Sequence, residues 1–332
     1  MGHPGPGRVS GMPGLASISI DLDGLPHYAA LHGLPPEVVS AEARALVHRV
    51  AVPRFAELVE GAGGRGTLFV IGAEVDDGAR PPLEDVLRRG HELASHSHGH
   101  DYALSRATGE EIERDLARAD EVLGSLGAVP PFGFRAPGYT LSPALLRAVI
   151  ARGHAYDASI FPAAPYWAAK ALTLGWLRLR GRRSAAILDA PRVLFAPRLP
   201  YRPDVDRPER RGTAPLLEVP MSVTPGARVP FIGTFVVLAP WPFVRAAYAR
   251  LRGEPFLSLE LHAVDLLGPE DGLPAELARA QPDLAVAGST KRARLRQVLE
   301  WIARDFRLVP LAEAVRSLDG DGADVPAGSG RK

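Results

Sequence analysis

The sequence predicts an α/β fold built around a parallel sheet or barrel. Short apolar and β-branched runs alternate along the chain with longer segments of helical periodicity. Several of these runs end in a charged or polar residue, as strands do at the carboxyl end of a parallel sheet, where active groups collect. The chain has 332 residues, 46% of them hydrophobic, and no extended internal linker. These features indicate one large domain.

The first predicted strand is 15–21, an apolar and β-branched run bounded by glycines. Turn and cap residues delimit the helices: Gly90 ends one, Thr108 and Glu111 form a capping box, and Gly153 ends another. The further predicted strands are 67–71, 92–94, 132–135, 154–159, 216–223, 256–262 and one near Leu308. The predicted helices are 41–60, 82–89, 108–126, 142–153 and 291–304, followed by a short helix before the tail.

Asp21 and Asp23 form an acidic pair at the end of the first strand. Side chains alternate along a strand, so the two carboxylates leave by the same face. Adjacent carboxylates repel each other and stay ionised only beside a cation or hydrogen-bond donors. A metal ion is the simplest partner, although an acidic residue before Gly24 is also typical of a turn.

His96 and His100 are four residues apart in a segment whose glycine and serines favour a loop at a strand end. Two imidazoles at this spacing can converge on one ion. The alternative is a polar surface loop, and His98, which points the other way, is expected beside the site or at the surface. The chain contains no cysteine, so a metal would be held by nitrogen and oxygen atoms.

Composition limits the other functional classes. The net charge of +1 gives no indication of nucleic-acid binding, and no window is apolar enough to span a membrane. The first fourteen residues are rich in glycine and proline and lack an apolar core, so neither a signal peptide nor an anchor is expected. We therefore predict a cytoplasmic enzyme with flexible tails at 1–14 and 319–332 and no obligate protein partner.

The alternation of strands and helices breaks at 161–216, which is predicted to be a lid inserted over the mouth of the barrel. Aromatic and basic residues, such as Trp176 and Arg178, are interleaved there before a proline-rich stretch. One interpretation is a lid packed through its aromatic residues, with its arginines in solvent. The other is a peripheral membrane contact, through which the segment engages a phosphate-bearing or lipid-linked glycan.

Five short motifs occur in one order along the chain: SIDLDG at 19–24, HSHGH at 96–100, FRAP at 134–137, YDAS at 156–159 and LELH at 259–262. In these motifs the chain resembles polysaccharide deacetylases, carbohydrate esterase family four. The Asp-x-Asp form of the first motif resembles the subset that includes lipid-linked aminosugar deformylases and some peptidoglycan deacetylases. The resemblance covers 15–318 apart from 161–216. It implies a catalytic domain with a distorted (β/α) barrel and a divalent metal, commonly zinc.

The resemblance also implies the role of each motif residue. Asp21 is expected to be the general base and Arg135 to hold it in place. The metal ligands would be Asp23, His96 and His100. His262 is expected to be the general acid, with Asp157 orienting its ring.

Four residues are candidates for substrate binding. The backbone N–H of Gly138 is expected to help bind the oxyanion, and Leu261 to line a small acyl pocket. Tyr139 falls one place later than the aromatic residue of the usual motif, so it either stacks on substrate or packs in the interior. His27 follows the acidic pair closely in sequence.

These expectations predict a metal-dependent hydrolase that removes an acetyl or formyl group from the nitrogen of an aminosugar. The substrate would be a glycan, a glycolipid or a glycosylated metabolite. Two alternatives remain open. Two histidines and one carboxylate also form the site of non-haem Fe(II) oxygenases, and a catalytically silent glycan-binding module could share the fold.

Overall fold

The computed structural model describes residues 13–181 and 184–320. The tails expected at 1–14 and 319–332 lie outside these residues except at their inner ends. There Gly14 begins the first strand, and Asp319 and Gly320 complete the last helix.

Eight strands and twelve α-helices alternate through most of the described chain. The strands are β1 Gly14–Asp21, β2 Thr67–Val70, β3 Glu92–Ser95, β4 Gly133–Phe134, β5 Tyr156–Asp157, β6 Leu217–Glu218, β7 Phe256–His262 and β8 Phe306–Leu308. The helices are α1 Leu25–Leu31, α2 Ala41–Arg44, α3 Val52–Gly61, α4 Arg80–Arg88, α5 Gly109–Ser125, α6 Pro143–Ala151, α7 Ala164–Leu179, α8 Gly233–Leu238, α9 Trp241–Leu251, α10 Ala275–Ala280, α11 Gly288–Asp305 and α12 Leu311–Gly320.

All eight strands belong to one parallel sheet. Its order is β6-β5-β4-β3-β2-β1-β7, and β8 pairs with the first half of β1. The segment after β6 approaches β7, because the Ser222 N–H donates to the Ser258 carbonyl over 3.1 Å and the Ser258 N–H donates to Ser222 Oγ over 2.9 Å. The sheet thus curls into a distorted (β/α) barrel, as the sequence predicted.

The two longest strands, β1 and β7, have an apolar outer face and a polar inner face. Ile18 and Ile20 lie with Leu259 in the core between the sheet and the helices. The alternate residues are polar yet equally buried, among them Ser19 and Glu260. Because side chains alternate along a strand, these polar residues line the inside of the curl and lead to the carboxyl ends of the strands.

The helix predicted at 41–60 is interrupted. Helix α2 ends at Arg44, a π-helical turn covers Val47–Ala51, and α3 starts at Val52. Pro53 lacks an N–H and cannot donate to the carbonyl four residues earlier, so the regular bonding pattern breaks at this point.

Sequence periodicity also missed α7, within 161–216, and the three helices that follow it. Helix α7 buries only Leu177 fully and carries apolar residues such as Leu172 and Leu179 on its exposed face, so it shows no clear apolar stripe of the kind by which helices are predicted. Within the described residues, no helix combines the length and the apolar character that crossing a membrane requires.

Candidate active site

Asp23, His96 and His100 converge at the carboxyl ends of β1 and β3. Asp23 Oδ1 lies 3.2 Å from Nε2 of each histidine, and all three side chains are buried. Neither Asp23 Oδ1 nor His100 Nε2 has a hydrogen-bond partner among the described residues. The Nδ1 of His96 donates to the Arg135 carbonyl over 2.8 Å, so its Nε2 lone pair is available on the side of Asp23. Two nitrogens and one oxygen left open in this way could hold a divalent metal ion.

A tight turn presents the two histidines to Asp23. Ser97 and His100 have φ angles of 64° and 51°, a left-handed backbone conformation that residues other than glycine rarely adopt. Two carboxylate oxygens of Asp115 on α5 stabilise the turn by accepting the N–H groups of His98 and Gly99, each over 2.8 Å. The turn therefore depends on a helix that lies outside the motif.

Arg135 holds Asp21 inside the barrel. Its guanidinium is fully buried, donates to Asp21 Oδ1 and to Ser19 Oγ, and stacks on the Phe69 ring at 4.0 Å. The other oxygen, Asp21 Oδ2, has no hydrogen-bond partner among the described residues and lies 3.8 Å from His96 Nε2. Burial raises the pKa of Asp21, although Arg135 and His96 act in the opposite direction. A carboxylate with one free oxygen is thereby set beside the candidate metal ligands.

His262 lies at the end of β7, next to Asp21 in the register of β1 and β7. Its Nδ1 is 2.9 Å from Glu260 Oε1, and its Nε2 is 2.9 Å from the hydroxyl of Tyr139. Burial would lower the pKa of the imidazole, but the charge and hydrogen bond of Glu260, together with the charges of Asp23 and Asp21, raise the pKa of His262 well above its ordinary value. Arg135 and a protonated His262 thus balance the charges of Asp21 and Glu260 without an ion.

A cleft opens over these groups, and the side chains of Asp21, Asp23, His96 and His262 form its floor. Its upper wall consists of Tyr28, Leu31, Tyr102, Gly138, Tyr139, Tyr166, Lys170 and Ala186. Tyr166 and Lys170 come from the first half of α7. Burial lowers the pKa of Lys170 to about 8, and its Nζ donates to the Gly138 carbonyl over 3.2 Å. Several aromatic rings beside these charged and polar groups could hold a polar ligand.

Comparison with known proteins shows which family part of the chain resembles. Residues 47–156 match the family model described as polysaccharide deacetylase. Over this third of its length the chain is similar to polysaccharide deacetylases. The matched residues include His96, His100 and Arg135, whereas Asp21, Asp23 and His262 lie outside the match.

Solved structures resemble this chain across most of its length. A proposed polysaccharide deacetylase from Mycobacterium smegmatis is 17% identical, with 95% of each chain covered and a TM-score of 0.57, and this likeness concerns the fold. A family 4 acetyl xylan esterase from Clostridium thermocellum, solved with a cobalt ion, is 15% identical, with 92% of each chain covered and a TM-score of 0.46. No curated protein matches the sequence.

The expected pairing of Asp157 with His262 is wrong. Among the described residues, the carboxylate that contacts the His262 ring is Glu260. Asp157 instead accepts from the Ser159 hydroxyl and lies beside Glu218, its register partner on β6. Glu260 and His262 are two residues apart on one strand and share a face, so Glu260 is the nearer partner.

One of the substrate-binding predictions also fails. Leu261 points away from the cleft into the core, because it alternates with Glu260 and His262 along β7. The predicted contact of His27 with substrate stays a prediction. His27 Nε2 is 2.8 Å from Glu74 Oε1, and its ring lies 4.3 Å from that of His100. Gly138 and Tyr139 do line the cleft, and the predicted role of Gly138 stays a prediction.

Sequence reasoning missed Asp115, Glu260 and Tyr102. Asp115 and Glu260 look like ordinary helix and strand residues, and only the fold brings them to the site. Tyr102 follows the histidine motif by two residues, and its ring packs 5.0 Å from that of His100. Its nearness to the motif was the one available signal.

Proposed function

We propose that this chain is a metal-dependent hydrolase that removes an acetyl or formyl group from the nitrogen of an aminosugar. The observation that supports the proposal is the meeting of two sets of groups at one cleft. Asp23, His96 and His100 lie within 4.8 Å of one another, and Asp21 and His262 line the same floor. Metal ligands with an acid and a base beside them are what amide hydrolysis needs.

The residues fit a divalent cation, for which we propose zinc. Asp23, His96 and His100 would hold it, since oxygen and imidazole nitrogen suit that ion. When bound, the ion would polarise the acyl carbonyl and lower the pKa of water in the cleft.

In the proposed reaction Asp21 removes a proton from the attacking water as the new carbon–oxygen bond forms. Arg135 occupies Asp21 Oδ1, so the unpartnered Oδ2 takes this proton. The Gly138 N–H would donate to the oxygen on which negative charge develops. His262 supplies the proton that the nitrogen gains as the carbon–nitrogen bond breaks. The products are a carboxylic acid and a free amine.

The wall of the cleft suggests a glycan substrate. The rings of Tyr28, Tyr102 and Tyr166 can pack against the apolar faces of sugar units, and Lys170 can donate to a hydroxyl or an anionic group. We propose an N-acylated aminosugar as the unit held over the floor.

Helix α7 supports a lipid-linked form of that substrate. Leu172, Trp176 and Leu179 follow helical spacing, and their exposed fractions are 75%, 49% and 89%. Residues 158–188 contain five basic and no acidic residues. We propose that this apolar and basic surface lies on an anionic membrane and brings the cleft to the sugar of a glycolipid.

The experiment is hydrolysis by purified, zinc-loaded protein of N-acetylated and N-formylated aminosugars, followed by mass spectrometry and release of acetate or formate. Asp21→Asn should abolish hydrolysis while metal content stays unchanged, and Asp23→Asn should lower metal content. Asp77→Asn, in an exposed turn, is the matched control. Full activity in Asp21→Asn would refute the base, and full activity after complete metal removal would refute metal dependence.

The two alternatives are not favoured. Fe(II) oxygenase chemistry needs no acid and base such as His262 and Asp21, and a silent binding module needs none of these groups. Oxygen consumption by the Fe(II)-loaded protein would favour the oxygenase over the hydrolase. Absence of hydrolysis across a panel of N-acylated aminosugars would restore the second alternative.

A further inference from the structure

Both ring nitrogens of His262 lie within hydrogen-bond distance of another side chain, Glu260 at Nδ1 and Tyr139 at Nε2. The motifs gave Glu260 no role, and they gave Tyr139 a role in substrate stacking or packing. Glu260 is completely buried, and its Oε1 lies 2.9 Å from Nδ1 of His262. The Tyr139 hydroxyl lies 2.9 Å from Nε2 and donates to Glu260 Oε1 over 3.2 Å. The three side chains form a closed group, with Tyr139 on the wall of the cleft.

The backbone is shaped to bring Tyr139 into this group. Gly138 and Tyr139 have φ angles of 61° and 63°, two left-handed residues in succession. A Cβ on Gly138 would lie 2.7 Å from the ring of Tyr102, so glycine is required there. Tyr139 has a Cβ and therefore adopts a positive φ only at a cost. The rings of Phe161 and Tyr166 pack against its ring, with centroid distances of 5.6 and 6.2 Å. Surrounding packing therefore keeps a rarely adopted conformation in place.

The geometry points to Glu260 as the positioning residue of His262 and to the Tyr139 hydroxyl as the group that hands the proton to the leaving nitrogen. This inference rests on the proposed hydrolysis. As the carbon–nitrogen bond breaks, the Tyr139 O–H turns from Glu260 Oε1 to the nitrogen and its proton passes there, and the Nε2 proton of His262 passes to the Tyr139 oxygen. The imidazole loses one proton, the amine gains one, and Tyr139 ends unchanged.

This arrangement explains how His262 can act as the general acid although both of its ring nitrogens are already in hydrogen-bond contact with Glu260 and Tyr139. Glu260 fixes the ring through Nδ1 and favours its protonated form, which leaves Nε2–H pointing to Tyr139. A direct transfer from Nε2 would first require the Tyr139 hydroxyl to move away.

The first test compares two substrates with Tyr139→Phe, which removes only the hydroxyl. Amide hydrolysis needs a protonated leaving group, whereas 4-nitrophenyl acetate releases a stable anion and needs none. With zinc-loaded protein we expect hydrolysis of N-acetylglucosamine oligomers to fall roughly 100-fold or more, because general acid catalysis contributes on that scale. Ester hydrolysis should stay near the wild-type rate.

The outcomes separate this inference from the proposed function. Equal losses on both substrates would mean that Tyr139 is only structural, and no loss on either would mean that His262 donates directly. Both results overturn the relay. If wild-type protein hydrolyses neither substrate, the proposed function itself fails.

The second test concerns Glu260. The charged and titratable groups around the His262 ring are Glu260, Asp21, Asp23, Tyr28 and Tyr139, and Asp265 accepts its backbone N–H. Glu260→Gln removes the charge that favours the protonated ring and so lowers the pKa of His262. In a plot of hydrolysis rate against pH, the fall in rate on the alkaline side (the alkaline limb) should therefore occur at lower pH than in the wild type. Glu260→Asp, which keeps the charge, should restore part of the shift.

Asp157→Asn is the comparison variant for that limb. The structure separates Asp157 from His262, so the limb should keep its position in this variant, whatever the effect on the rate. An unmoved limb in Glu260→Gln, or a limb that moves in Asp157→Asn instead, would overturn the assignment of Glu260.

Discussion

Arg135 and Asp21 form an ion pair that is buried completely and bridges β1 and the end of β4. Removing one partner of such a pair leaves the other charge uncompensated in the interior, which costs about 3–5 kcal/mol. Arg135→Met should therefore lower the free energy of unfolding by about that amount. Urea denaturation monitored by circular dichroism measures it.

The control for that prediction is Arg147→Met. Arg147 pairs with Asp206 in solvent, where both side chains are more than half exposed. An exposed pair contributes at most about 1 kcal/mol. An equal decrease in the free energy of unfolding in both variants would show that the buried pair of Arg135 and Asp21 stabilises the fold no more than an exposed pair does.

Asp115 offers a test of the histidine turn. Asp115→Ala removes both acceptors of the His98 and Gly99 N–H groups and frees the turn, so zinc affinity should fall by roughly 10–100-fold. Competition with a chromophoric chelator measures this affinity. Glu121→Ala, an exposed change on the same helix, should leave it unchanged. An unaltered affinity in Asp115→Ala would mean that the histidines need no support from α5.

Helix α7 should bind vesicles that contain anionic lipid. A Leu side chain gains about 1.5–3 kcal/mol when buried, so Leu172→Ser combined with Leu179→Ser should weaken binding roughly tenfold or more. Co-sedimentation with phosphatidylglycerol vesicles measures the loss. Val129→Ser removes an equally exposed apolar side chain elsewhere and should have no effect. Equal binding to vesicles of neutral lipid alone would contradict the role of the arginines.

Asp265 should make stability depend on pH in an unusual direction. Burial raises its pKa to about 7 in the folded protein, from 3.8 as the ordinary value. The folded state then binds more protons than the unfolded state between these values, so the Asp265 contribution to stability decreases as pH rises from about 4 to 7. Asp265→Asn should remove this decrease, as measured by urea denaturation at several pH values. An identical pH dependence in the variant would contradict the raised pKa.

The sequence predicted the parts of the site that lie at strand ends within short motifs. Asp21 and Asp23 could be placed together because alternation along a strand is a local rule, and the histidine turn is local as well. Parallel strands bring their carboxyl ends to one edge, so the meeting of β1, β3 and β7 followed from the predicted fold class.

The partner of His262 could not be predicted in the same way. Asp157 and Glu260 are both acidic residues near strand ends, and choosing between them requires knowing how far the sheet curls and which face each side chain takes. The position of Tyr139 depends on two successive left-handed residues, which no periodicity indicates. Helix α7 was missed because apolar residues also lie on its exposed face, among them Leu172 and Leu179, and this blurs the stripe that marks a core-facing helix.

The order of the site residues along the chain has a consequence for biosynthesis. The candidate metal ligands all come from the first third of the sequence, on β1 and β3 with β2 between them, whereas His262 arrives only with β7. A nascent chain emerges from its amino end, so all three candidate ligands are synthesised well before the proton donor. Hydrolysis would begin only after β7 docks along the free side of β1, which delays catalytic competence until the barrel is nearly whole.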